Sequence, residues 1–134
     1  MLTDQQHRAL AEQGVLLANF HVPLGPLPVA MAHSDGAALP LLKAGAFAAD
    51  LIRFPPAGGV PEHTHPGAHM LFVVGGVGSL LTAGVRLDLR PGVCYLAPAG
   101  VPHSIHASAR RHLSLVSVAN DHRDAGSASR LNLT

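Results

Sequence analysis

Ten histidines are spread over the 134 residues, and five of them, His63, His65, His69, His103 and His106, fall in one stretch. Imidazole is the commonest metal-ligating side chain, so this density asks for a geometric test. His63-Thr64-His65 sets two rings two residues apart. In an extended strand, residues i and i+2 share a face, so both rings can aim at one point; a helix does not converge them at that spacing. His69 follows Pro66-Gly67, a pair able to turn the chain and bring a third ring back. His103 follows Pro98-Ala99-Gly100-Val101-Pro102, a rigid turn that presents the start of a strand. Rings gathered in this way would hold one divalent transition metal, with Fe, Zn, Ni and Mn all compatible with nitrogen ligands. The competing reading is polar histidines on exposed loops, and an H-x-H pair taken alone fits either.

Other side chains enter as supporting candidates. Arg53 offers an anion clamp for a carboxylate and Tyr95 a polar contact, both as substrate-binding residues whose strand parity the sequence leaves open. His106 lies three residues past His103 and therefore faces away from it on a strand. His112 is expected as a packed or barrel-lining ring, Cys94 as a small buried hydrophobe, and Glu62 as solvent-facing. His21 and His33 read as surface or packing histidines. Leu51, Phe54, Leu71, Val73 and Leu115 are expected to wall the pocket with apolar surface.

The elements that would position these groups follow from turn chemistry. Thr3 can cap a helix over residues 3–13, with Gln6 in the capping-box position and Gly14 as its stop. Prolines at 23, 26, 28 and 40 forbid a helix between residues 15 and 40, which reads as an extended arm with short edge strands. Beyond residue 41, short apolar runs at 46–54, 69–74, 79–83, 85–89, 93–97, 103–107 and 112–119 alternate with Gly- and Pro-rich turns. That rhythm signals an all-β sandwich or barrel. Residues 121–134 read as a loose tail or an arm that swaps onto a partner subunit. One domain therefore spans 1–134, with helix and arm at 1–40, barrel at 41–120 and tail at 121–134.

Composition narrows the partners. Charged residues are only 13% of the chain and the net charge is +1, with no basic stretch beyond the dipeptide Arg110-Arg111. Nucleic acid and anionic membranes are thus not expected as partners. A surface so short of charge is expected to cover apolar area against a second copy, as a homodimer. With one cysteine no internal disulfide is possible, and residues 1–13 lack the apolar core of a signal peptide, so a cytoplasmic location is expected.

Read from Gly58 to His103, the chain resembles the two signature motifs of the cupin superfamily. The first family motif runs glycine, five residues, H-x-H, three or four residues, glutamate, six residues, glycine; here His63 and His65 supply the H-x-H, His69 stands at the glutamate position, Gly76 closes the motif, and Ala57 occupies the leading glycine's place. The second runs glycine, five residues, P-x-G, two residues, histidine, three residues, asparagine; Gly92, Pro98, Gly100 and His103 match at every spacing, with Ala107 in place of the asparagine. The resemblance implies a double-stranded β-helix, or jelly-roll barrel, with a short N-terminal helix. It further implies His63, His65, His69 and His103 as metal ligands, with His69 alternatively a residue behind the ligands that contacts substrate. Histidine in place of glutamate would leave the metal its full charge and favour anionic, chelating substrates such as enolates, β-diketonates, thiolates or carboxylates.

Three functions follow. A metalloenzyme acting on a small organic molecule comes first, with a dioxygenase slightly ahead of a Lewis-acid isomerase, cyclase or lyase, because with all four histidines on the metal no separate general base remains. A non-catalytic binding or sensing module comes second, and a structural dimer with a degenerate site third.

Overall fold

Thr3 caps the helix α1 (Asp4–Glu12) by the reciprocal bonding expected of it: its hydroxyl accepts from the Gln6 amide at 3.1 Å, and the Gln6 side chain accepts from the Thr3 amide at 2.8 Å. Gly14, at φ +78°, lies just beyond the C-cap Gln13. In this computed structural model residues 3–20, 28–121 and 132–133 are described. His21, the prolines at 23 and 26, and residues 122–131 of the expected tail lie outside that set. Among the described residues, no helix is long and apolar enough to cross a membrane.

Among the described residues, eleven strands follow the helix: β1 (Val29–Ala30), β2 (Ala37–Ala44), β3 (Phe47–Phe54), β4 (Gly59–Thr64), β5 (His69–Gly76), β6 (Gly78–Thr82), β7 (Val85–Leu89), β8 (Cys94–Ala97), β9 (His103–Ala107), β10 (Leu113–Ala119) and β11 (Asn132–Leu133). They form two antiparallel sheets, in the orders β1-β2-β3-β10-β5-β8 and β11-β4-β9-β6-β7. This is the jelly-roll barrel that the turn rhythm and the motifs imply. From β3 onward every consecutive pair except β6–β7 crosses from one sheet to the other, so the inward faces of both sheets close on one core. Phe54, Leu89, Leu113 and Leu115 are the largest of its fully buried apolar side chains.

Two strands are poorly marked in the sequence. In β2, Pro40 suggests an interruption, yet the ladder to β3 absorbs it in a register shift between Pro40 and Leu42. β2 also begins at Ala37, ahead of the line at residue 40 that divides arm from barrel. In β4, Pro61 and Glu62 hide the period of two. The segment before β2 belongs to the barrel as well: the Ser34 hydroxyl donates to the Gly59 carbonyl at 2.7 Å, and the Asp35 carboxylate accepts from the Gly59 amide at 2.9 Å. These bonds pin the start of the strand that carries His63.

The four glycine positions of the two motifs share one backbone property. Gly76, Gly92 and Gly100 stand at φ +77°, +98° and +73°, and Ala57 stands at +62°. Ala57 therefore adopts the left-handed conformation of the glycine it replaces, at a steric cost glycine would not bear.

Candidate metal centre

His63 on β4 and His103 on β9 are direct cross-strand partners in one sheet. His65 lies just past β4, two residues on and on the same face, as its spacing predicts. His69 opens β5 in the other sheet. The Gly100 amide donates to the His65 carbonyl at 3.0 Å and so ties the first motif's loop to the second motif's turn. All four rings are buried, at 2% to 7% exposure. The ring centroids of His63 and His103 are 4.3 Å apart, those of His63 and His65 4.6 Å, and those of His65 and His103 4.8 Å.

Hydrogen bonding sets which nitrogen each ring presents. His63 Nδ1 lies 2.7 Å from the Pro61 carbonyl, and His103 Nδ1 3.0 Å from the Val101 carbonyl. A carbonyl only accepts, so both Nδ1 atoms carry the proton and both Nε2 atoms of the neutral rings present a bare lone pair. Ligating histidines are oriented in the same way. The Nε2 of His103 is buried with no hydrogen-bond partner among the described residues. Burial also holds the His103 ring below its ordinary value, a shift partly offset by its bond to Val101, which keeps the lone pair available at neutral pH.

His63 Nε2 lies 3.0 Å from His65 Nε2. Two nitrogens each about 2.0–2.1 Å from a shared ion stand roughly 2.9–3.4 Å apart for angles between right and tetrahedral. Ligand atoms of His63, His65 and His103 all lie within 4.8 Å of one another. The cavity they face has a volume of about 20 Å³, room for a single ion or water. These features fit a divalent transition metal on the three rings.

His69 reaches the same cavity differently. Its ring stacks on His65 at 4.0 Å, and its Nδ1 lies 3.2 Å from the Ser117 hydroxyl, so its nitrogens stand outside the group of three. The remaining wall is Met31, Ile52, Phe54, Val60, Leu71 and Ile105, and no carboxylate, lysine or arginine lines it among the described residues. Of the expected apolar wall, Phe54 and Leu71 are in place, Val73 and Leu115 lie in the surrounding core, and Leu51 falls on the opposite face from Ile52.

Among the supporting candidates, Tyr95 points inward and packs against the core, whereas Arg53, between buried Ile52 and Phe54, is exposed and lines neither the histidine cavity nor its neighbour. Cys94 is exposed, not buried, because alternation on the edge strand β8 turns it outward. His112 is exposed just before β10 rather than packed or lining; His106, Glu62 and His33 are exposed as expected. Three residues of the site escape sequence reasoning. Met31 arrives from the segment before β2, and Ser117 is a polar break in an apolar strand whose inward parity depends on β10 pairing with β5. Asn120 accepts from the Ala68 amide at 3.1 Å and clamps the loop between His65 and His69.

Comparison with known proteins agrees with this architecture. The cupin domain profile matches residues 50–119. A search of curated proteins returns no match. Among solved structures, the chain resembles a cupin-2 domain from Rhodospirillum rubrum, with 17% identity, a TM-score of 0.72, and coverage of 89% of this chain and 82% of the other. It also resembles the polyketide cyclase RemF from Streptomyces resistomycificus, at 20% identity and a TM-score of 0.68, covering 79% of this chain and 76% of that one. A predicted oxalate decarboxylase from Thermotoga maritima aligns at 18% identity and a TM-score of 0.64, over 78% of this chain and 96% of that one. At these identities the likeness is one of fold. With the profile spanning more than half its length and both motifs set on the strands that bring their histidines together, the chain belongs to the cupin domain family.

Proposed function

We propose that the chain is a metal-dependent enzyme acting on a small, chelating oxygen compound, with one divalent transition metal held by His63, His65 and His103. The observation that carries this reading is the buried convergence of three rings, two of them with Nδ1 engaged by backbone carbonyls. A metal there supplies Lewis-acid polarisation of a bound oxygen and lowers the cost of an adjacent carbanion.

The chain's own residues supply the remainder. The apolar wall excludes water and strengthens electrostatic interaction at the site. His69, outside the group of three and with its Nδ1 3.2 Å from the Ser117 hydroxyl, is the proton acceptor of this reading. With His69 given this role, not all four histidines are spent on the metal, which was the ground for favouring oxygen chemistry. The reading therefore moves toward isomerase, cyclase or lyase chemistry through an enolate, and the fold likeness to a polyketide cyclase is consistent with it. The second reading, a dioxygenase, is supported by the three-histidine set, which leaves open positions for substrate and oxygen.

Metal-loaded protein incubated with a β-diketone in heavy water separates the two. Enolate chemistry gives deuterium exchange at the central carbon without oxygen uptake, and that exchange falls at least tenfold in His69→Gln. Oxygen uptake in step with loss of the diketone overturns the first reading in favour of the second.

We also infer a homodimer. Met70, Phe72 and Val74 of β5 and Leu96 of β8 are all more than a third exposed, on one outward face where Met70 pairs with Leu96 and Phe72 with Cys94. An uncharged face is self-complementary for a second copy. A monomer mass in gel filtration overturns this. The exposed lone thiol of Cys94 suits a reducing cytoplasm.

A further inference from the structure

A second cavity of about 90 Å³ adjoins the histidine cavity, and His103 lines both. Its walls are almost wholly apolar, with Leu80, Ala97, Pro98 and Val101 among them. Among the described residues, two polar side chains besides His103 reach it. The Thr82 hydroxyl is already engaged, donating to the Pro102 carbonyl at 3.0 Å. The Tyr95 hydroxyl is buried and has no hydrogen-bond partner among the described residues.

A buried hydroxyl without a partner is an unfavourable feature that folding alone gives no reason to keep, since phenylalanine would fill the same space. Burial also pushes the Tyr95 phenol well above its ordinary range, so the group stays protonated and acts as a donor. Among the described residues no lysine or arginine lines the cavity to receive a second negative charge. The partner that suits the hydroxyl is therefore an uncharged oxygen acceptor carried by a compact apolar group.

We infer that this alcove is a substrate subsite, in which the Tyr95 hydroxyl donates a hydrogen bond to the carbonyl or phenolic oxygen at one end of a two-oxygen substrate whose other oxygen lies at the histidine cavity. The inference rests on the metal reading above and adds the substrate class: small β-dicarbonyls or hydroxy-ketones in preference to dicarboxylates. Tyr95 is thus a substrate-binding residue and no part of the metal's ligand set.

The test compares wild-type protein with Tyr95→Phe, each loaded with cobalt(II), whose visible spectrum reports the metal site by itself. Acetylacetone is then titrated into both by calorimetry. Both proteins are expected to show the same cobalt spectrum and stoichiometry, while Tyr95→Phe binds acetylacetone about tenfold more weakly, the worth of one buried hydrogen bond. Metal-free Tyr95→Phe is expected to melt no lower than wild type. Equal acetylacetone affinities with intact cobalt spectra overturn the subsite alone, and so does a clear fall in the melting temperature of Tyr95→Phe, which would mean a structural partner for the hydroxyl. Absence of a cobalt spectrum in wild type overturns the metal reading and this inference with it.

Discussion

Ala57→Gly should stabilise the protein, although it replaces a residue with one less ordered in the unfolded chain. Ala57 holds φ +62°, the region that costs an L-residue roughly 1–2 kcal/mol. Glycine removes that cost but gives back about 0.5–1 kcal/mol in unfolded-state entropy. The net gain is about 0.5–1 kcal/mol. Unfolding entropy near 2.1 cal/mol/K per residue gives roughly 280 cal/mol/K for a chain this long, so the melting temperature should rise by about 2–4 °C. The Ala57 amide, which donates to the Ser108 carbonyl at 2.7 Å, is untouched by the change. Gly76→Ala is the opposing control. A Cβ there would overlap the His112 carbonyl oxygen and stand 2.6 Å from its carbon, at φ +77°. Conformational cost plus displaced backbone is expected to destabilise by about 2–5 kcal/mol, on the order of 10 °C. Thermal unfolding followed by circular dichroism, on metal-free protein, reads both. An Ala57→Gly protein that melts at or below wild type would refute the assignment of residue 57 to the leading glycine's conformation.

Three further outcomes are expected. Because burial depresses His103 in the folded state, protonation favours the unfolded chain: this contribution is complete above the free imidazole value of 6.5 and is lost as pH falls through the lower folded value. The melting temperature of metal-free protein should therefore drop on acidification from about pH 8 to 5, and His103→Gln should show a shallower profile; parallel profiles would contradict this. Asn120→Ala removes the clamp on Ala68 and should cost about 1 kcal/mol, with weaker metal binding in a competition titration because the loop it holds sets His65 and His69. Ala83→Asn should raise the melting temperature by a few degrees, since Ala83 and Gly84 stand at φ +51° and +73° in the two-residue β6–β7 turn, where Asn-Gly is preferred. An unchanged value would contradict it.

What the sequence makes legible here depends on how locally each feature is set. His63 and His65 share a face by strand parity alone, and Thr3 and Gln6 form their capping box within four residues, so both could be read directly. His103 is delivered by a Pro- and Gly-rich turn whose chemistry is equally local. The family spacing brings His69 to the site, but its contact with Ser117, forty-eight residues away, is reached only through the β5–β10 ladder. The same non-local pairing decides Arg53, whose parity turns it to solvent, and Cys94, which an edge strand leaves uncovered. Met31 joins the wall because an arm folds back, and nothing in its neighbours signals that.

The most direct test of the account is metal content. Protein purified without added metal and analysed by inductively coupled plasma mass spectrometry is predicted to carry close to one transition-metal ion per chain. His103→Ala, with its fold verified by circular dichroism, is predicted to lose that ion. Full metal occupancy in a folded His103→Ala protein, or a wild type that binds no transition metal even when it is supplied, would contradict the convergence of imidazoles on which the proposed chemistry depends.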